Sequence, residues 1–324
     1  MVKHGLERDL FIVIQSKNFP FYYTSDFVFL LDYFAKMSKT TAKPEEEKKS
    51  ILNKIITFIR EPSLYFCQNI IFGPTGFKLI VAFVIIIIGS LLKRYDLVPQ
   101  SYFSVKTNIF NRYFAKLGWG WTIGLLGPFI YLTLMTTRTT KEIVANHLSR
   151  LLVATGIWLV VTSLFVFIES RTGTCNHQGF QGATRYVCLK GGHKWDEGID
   201  FSGHTFLLLY AILIINEEVK AYRKGVKKID KTEQQTSEVT PDGTTNPTKE
   251  TFQIYQHLIR VVYIALGVLT VLWEFMLLST ALYFHHTLHK IAAGICAVFF
   301  WYITYYVWYQ PRSTSLLCPA KPEI

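Results

Sequence analysis

Charge is what this chain has least of. Only 18% of its 324 residues are Asp, Glu, Lys or Arg, whereas a soluble domain carries about 25%. Half the residues are hydrophobic, which argues against a water-soluble fold. Cysteine is also sparse: five residues are too few for a disulfide scaffold. No Asn-x-Ser/Thr acceptor is present, because Asn246-Pro247-Thr248 is excluded by its proline. A cleavable signal peptide is not evident either. Lys3, Arg8, Asp9 and Lys17 interrupt the first twenty residues, and no apolar stretch there ends in a small-residue cleavage site.

What the chain does have is long apolar runs. Six reach the length needed to cross a bilayer core, roughly over 76–92, 114–134, 151–168, 202–218, 259–281 and 291–309. Aromatic residues make up 15% of the chain, and Trp and Tyr gather at the ends of these runs, as in interfacial belts. The expected fold class is all-α: a polytopic membrane protein with six transmembrane helices. The net charge of +11 then reports topology and anionic headgroups rather than nucleic acid.

Lys and Arg placement orients the chain. Ten precede the first span and seven lie between Lys220 and Lys249. The positive-inside bias assigns both termini and the 219–257 loop to the cytosol. The expected organisation is an N-terminal extension over 1–75, a transmembrane domain over 76–310 with a flexible 219–257 loop, and a tail over 311–324. Within the extension, Ser25 can cap a helix over 26–36, and Ile51, Leu52, Ile55, Ile56 and Ile59 share one helical face. Residues 37–50 form a polar linker.

This topology brings two motifs to one membrane face. Asp200-Phe-Ser202-Gly203-His204 opens the fourth span, and Phe284-His285-His286-Thr287-Leu288-His289-Lys290 follows the fifth. Histidine can attack phosphorus when neutral and protonate a leaving oxygen when charged. The Ser202 hydroxyl and Gly203 N–H, at a helix N-terminus, suit a phosphate. Lys290 supplies a nearby positive charge. The bland alternative is interfacial headgroup contact. A metal site competes, since His285 and His289 are spaced i,i+4 and His286 and His289 i,i+3. No carboxylate within that motif completes it, so neither metal nor other cofactor is expected. Glu274 lies inside the fifth span, where a carboxylate is either functional or an interhelical hydrogen bond. Cys175 and Cys188 share the loop 169–200 on the same face; a disulfide and two free thiols are both open.

The chain resembles the fat storage-inducing transmembrane proteins of the endoplasmic reticulum, including fungal members, over about 87–309. The resemblance rests on Gly89-Ser90-Leu91-Leu92-Lys93, Pro99-x-Ser101-Tyr102-x-Ser104-x-Lys106-x-Asn108, Trp119-x-Trp121-Thr122, Asp200-x-Ser202-Gly203-His204-x-Phe206-Leu207-Leu208 and Tyr283-Phe284-His285. That family is related to the lipid phosphatases, which implies a lipid-phosphatase-like helical bundle. It implies a lumenal site in the endoplasmic reticulum membrane that hydrolyses the phosphoanhydride of fatty acyl-CoA. The products would be acyl-4′-phosphopantetheine and adenosine 3′,5′-bisphosphate, with roles in lipid droplet emergence and phospholipid balance. His285 would be the nucleophile and His204 the general acid. Typical lipid phosphatases carry a Ser-Arg pair before the nucleophile and an Asp four residues after it. Here those places hold Leu278, Ser279 and His289. Lys106, Lys290, Asp200 and Glu274 are the candidates for phosphate binding and for orienting His285. The expected partners are fatty acyl-CoA or a related lipid phosphate and membrane lipids, triacylglycerol or diacylglycerol among them. The alternative function is non-enzymatic binding and partitioning of neutral lipid; a transporter is less well supported, for want of an inverted repeat.

Overall fold

The computed structural model describes residues 62–136, 141–177, 179, 182–236 and 247–309. The amphipathic segments expected at 26–36 and 51–59, the 37–50 linker and the 311–324 tail lie outside these residues. Two compact units divide the chain at Phe58 and Ile59, and everything below concerns the second.

Six long helices account for most of it: α1 (Thr75–Arg94), α2 (Gly118–Thr136), α3 (Lys141–Thr172), α5 (Gly203–Thr236), α6 (Pro247–Tyr283) and α7 (Thr287–Tyr302). A short α4 (Arg185–Lys190) and a two-residue antiparallel pair, β1 (Thr174–Cys175) with β2 (Trp195–Asp196), fold the connection between α3 and α5. Four helical stretches, Thr75–Arg94, Lys141–Thr172, Gln253–Tyr283 and Thr287–Trp308, are long and apolar enough to cross a membrane. Helices α2 and α5 coincide with expected spans but do not meet that measure. Gly and Trp dilute the first turns of α2, and α5 carries Glu217 and Glu218 before its polar continuation.

Contacts at both ends show how the helices run. At one end Lys93 of α1 meets the α6–α7 turn, and Phe201, just before α5, packs edge-on to His289 of α7. At the other end Thr75 of α1 bonds Glu217 of α5, while Arg150 of α3 and Tyr305, beyond α7, both bond Glu218. Helix α5 is the centre of the bundle. Residues 205–219 are buried almost all round, as expected of a helix apolar on every face. Close approach matters at Gly89 of α1, where an added Cβ would lie 2.8 Å from the Ala281 Cβ of α6.

Two expectations change. The 219–257 segment is not one flexible loop: α5 continues to Thr236 and α6 already begins at Pro247. Runs rich in Lys, Glu and Gln retain good helix propensity once an apolar span nucleates them. Residues 62–74, assigned with the N-terminal extension, pack against the bundle. Phe72 is fully buried with its ring 5.1 Å from Tyr263, and an added Cβ on Gly267 would strike Cys67 Sγ.

Candidate active site

The α6–α7 connection is three residues long. Helix α6 ends at Tyr283, His285 takes a left-handed conformation (φ 49°), and His286 is extended before α7 starts at Thr287. A left-handed residue ends a helix efficiently, but outside glycine it is uncommon and marks sites that hold strain for function. The turn directs His285 Nδ1 to Asp200 Oδ2 at 2.9 Å. An ionised carboxylate can only accept, so Nδ1 carries the proton and Nε2 is left as the basic nitrogen. The hydrogen bond from His285 holds the Asp200 carboxyl below the usual carboxylate range, against the opposing effect of burial; the positive fields of His285, His289 and Arg185 add to it.

Asp200 is held from behind by the α3–α5 connection. The Ile199 N–H donates to Thr172 Oγ1 at 2.8 Å at the end of α3. One turn earlier Glu169 accepts from Trp195 Nε1 at 2.8 Å and pairs with Arg185 at 3.1 Å. Trp195 lies so close over Gly173 that a Cβ there would overlap its ring. Cys175 and Cys188 form a disulfide in the same small cluster, which resolves the choice the sequence left open.

Three lysines meet this end of the bundle. Lys93, in the last turn of α1, donates to the His285 carbonyl at 3.0 Å. Lys290, 0% exposed, donates to the Ala281 carbonyl at 2.6 Å, one of the carbonyls that α6 leaves without an intrahelical partner at its C-terminus. Lys106 sits in the 99–111 connection. That segment is knitted by Asn108 Nδ2 to the Tyr102 and Phe103 carbonyls, both 3.3 Å, and by Asn111 Nδ2 to the Lys106 carbonyl at 2.6 Å. Ser101 Oγ donates to Tyr283 OH at 2.8 Å, docking the segment on the last turn of α6. Lys106 and Lys290 were legible as cations; Lys93 was not singled out, although it closes the Gly89-to-Lys93 motif.

Ser202 proves to be a helix cap. Fully buried, its Oγ accepts from Thr205 N (3.3 Å) and Thr205 Oγ1 (2.8 Å), the standard way of satisfying first-turn donors. Gly203 and His204 are the first two residues of α5, both half-buried. Glu274 does not join the site. It pairs with Lys78 near the start of α1, and Lys78 lies about 22 Å along that helix from Lys93 at 1.5 Å per residue. The i,i+4 spacing of His285 and His289 does not place them on one helical face, because His285 lies outside α7. Among the described residues no three His, Cys, Asp or Glu side chains are grouped to hold a metal ion.

A donor-acceptor pair of this kind, with a basic nitrogen oriented by a carboxylate and cations nearby, can support nucleophilic attack on an anionic centre. Comparison with known proteins shows the family. The family model for fat storage-inducing transmembrane protein matches residues 99–171 and 168–305. A Drosophila melanogaster protein named acyl-coenzyme A diphosphatase FITM2 is 32% identical over 307 residues, covering 89% of this chain and 68% of its own. Proteins of that name from Danio rerio and Homo sapiens are 34% and 36% identical, covering 84% and 72% of this chain and 94% and 82% of theirs. No solved structure matches. The chain is a member of the fat storage-inducing transmembrane protein family.

Proposed function

We propose that this chain hydrolyses the phosphoanhydride of fatty acyl-CoA, yielding acyl-4′-phosphopantetheine and adenosine 3′,5′-bisphosphate. The observation that carries the proposal is the Asp200–His285 hydrogen bond beside Lys93 and Lys290, in a chain whose relatives bear the name acyl-coenzyme A diphosphatase. In the first step His285 Nε2 attacks one phosphorus of the diphosphate. The P–O bond to the bridging oxygen breaks, and that oxygen leaves with the second phosphoryl half, taking a proton from His204. Water then attacks the phosphohistidine, His204 accepting the proton, and releases the other half with His285 restored. Asp200 keeps the imidazole in the tautomer that exposes Nε2 and balances the positive charge it gains, the role of the third group in nucleophile–base constellations.

The same account makes all six long helices membrane spans, since successive helix ends alternate between the two ends of the bundle. In the sequence, ten Lys and Arg precede the first span and seven lie between Lys220 and Lys249; by the positive-inside bias this would put both termini in the cytosol and the site in the lumen of the endoplasmic reticulum. Acyl-CoA is the proposed substrate, and supply of lipid droplets and phospholipid balance the proposed physiological setting. The test is turnover of oleoyl-CoA by purified full-length protein in detergent, with chelator present. Activity that disappears in His285→Ala and in His204→Ala, with folding intact, supports the mechanism. Equal turnover in all three proteins overturns it, and no turnover by any returns the protein to lipid partitioning.

A further inference from the structure

The lysines at the His285 end share a property that the two-histidine chemistry does not use. Among the described residues no carboxylate pairs with Lys93, Lys106 or Lys290. Lys290 is wholly buried, yet of its three donors only one is engaged, by the Ala281 carbonyl. A buried ammonium without a counter-ion is costly, and an ionisable group kept at the edge of a membrane span is a candidate for function. Lys93 is open to the surface and uses one donor on the His285 carbonyl. Lys93 and Lys290 both donate to carbonyls at the C-terminal end of α6, those of His285 and Ala281, and the segment that carries Lys106 docks on the same last turn through Ser101 and Tyr283. Of the carboxylates at this end, Asp200 is committed to His285, Glu169 to Trp195 and Arg185, and Glu197 to Arg185. Three lysines therefore meet the end of α6 beside the proposed nucleophile, and among the described residues no carboxylate pairs with any of them.

We propose that Lys93, Lys106 and Lys290 form one binding site for a ligand carrying linked phosphates, the diphosphate of an acyl-CoA rather than a single phosphate monoester. The proposal rests on the diphosphatase function above. Three cations match a diphosphate, which spreads its charge over two phosphoryl groups, better than a lone phosphate. The two exposed lysines meet the ligand at the surface, while the buried one is held ready by the α6 terminus, so the site discriminates by number of phosphates and not by acyl chain.

The test uses inorganic pyrophosphate and inorganic phosphate as probes, titrated calorimetrically into the full chain in detergent. The His285→Ala background removes turnover but keeps the backbone carbonyl that Lys93 bonds. Pyrophosphate should bind at least tenfold more tightly than phosphate. Lys93→Gln and Lys106→Gln, both at exposed positions, should each weaken pyrophosphate by roughly 10–100-fold, the usual effect of losing a hydrogen bond to a charged group, without lowering Tm. Lys290→Arg should retain part of the affinity that Lys290→Met loses. Equal affinity for the two anions, or unchanged pyrophosphate binding in Lys93→Gln and Lys106→Gln, overturns the site. Oleoyl-CoA turnover by the otherwise native chain separates the two claims. Turnover with no pyrophosphate preference sinks the lysine site alone, and pyrophosphate binding without turnover sinks the diphosphatase function alone.

Discussion

Replacing Asp200 by Asn removes the charge that His285 leans on and little else. The two side chains meet at 2.9 Å and are 32% and 23% exposed. A hydrogen bond to a charged group is worth about 1.5–3 kcal/mol, and water reaching a pair this open reduces that to about 1–2 kcal/mol. At 1.36 kcal/mol per tenfold, kcat for acyl-CoA should fall roughly 5–30-fold. KM should hardly move, because the carboxylate orients the nucleophile and does not itself touch substrate. Acid pH supplies a second handle. Asp200 titrates below its ordinary value in the folded protein, so its stabilising contribution is complete above about pH 4 and is lost as pH falls through the depressed value. The Tm difference between wild type and Asp200→Asn should close as pH falls below about 4. Steady-state kinetics and thermal unfolding in detergent read both. An unchanged kcat, a loss confined to KM, or a Tm difference that persists unchanged well below about pH 4 would refute the orienting role.

Other perturbations probe the frame around the site. Changing Cys175 and Cys188 to Ser opens a link between residues 13 apart; it should cost about 3 kcal/mol and lower kcat, since Asp200 hangs from the same connection. Equal activity with and without reductant would detach that connection from the site. At the far end, Arg150 and Glu218 form a buried bidentate pair (2.6 and 2.7 Å, side chains 2% and 1% exposed) that His147 and Tyr305 extend. Glu218→Ala should destabilise by about 3–5 kcal/mol, and Arg150→Met with Glu218→Leu should recover part of that loss; a double variant as unstable as the single one would speak against a mutual pair. Gly89→Ala should cost about 1–3 kcal/mol through its clash with Ala281, seen as a lower Tm, whereas an unaffected protein would mean that α1 and α6 do not touch there.

The helices were legible because apolar runs of bilayer length have few other uses, and each of the six expected runs coincides with a long helix. Their ends were less so. Residues 219–236 and 247–257 look like a polar loop by composition, but a long helix carries its polar continuation with it. The two motifs were legible as polar interruptions at the edges of apolar runs, and Asp200 was visible as the carboxylate nearest Ser202-Gly203-His204. Its pairing with His285 was not, because nothing local specifies a contact across 85 residues. Lys93 escaped for the same reason: its partner is a backbone carbonyl, which leaves no mark in the side-chain pattern. Ser202 was read as a phosphate ligand, and its Oγ also caps α5, a common ambiguity, since both roles place a hydroxyl before a helix. Glu274 stood out as an intramembrane carboxylate, and its counter-charge Lys78 was hidden at the start of another apolar run.

The central claim is that a carboxylate-oriented His285 attacks the diphosphate of acyl-CoA. Its most direct measurement is mass spectrometry of the intact protein quenched in mid-turnover with oleoyl-CoA under conditions that preserve phosphohistidine. The account predicts an adduct on His285 of one product half, bonded through phosphorus, in the wild type and absent from His285→Ala. Turnover by wild type and His285→Ala at the same rate, with no adduct on His285 in any protein, would contradict it.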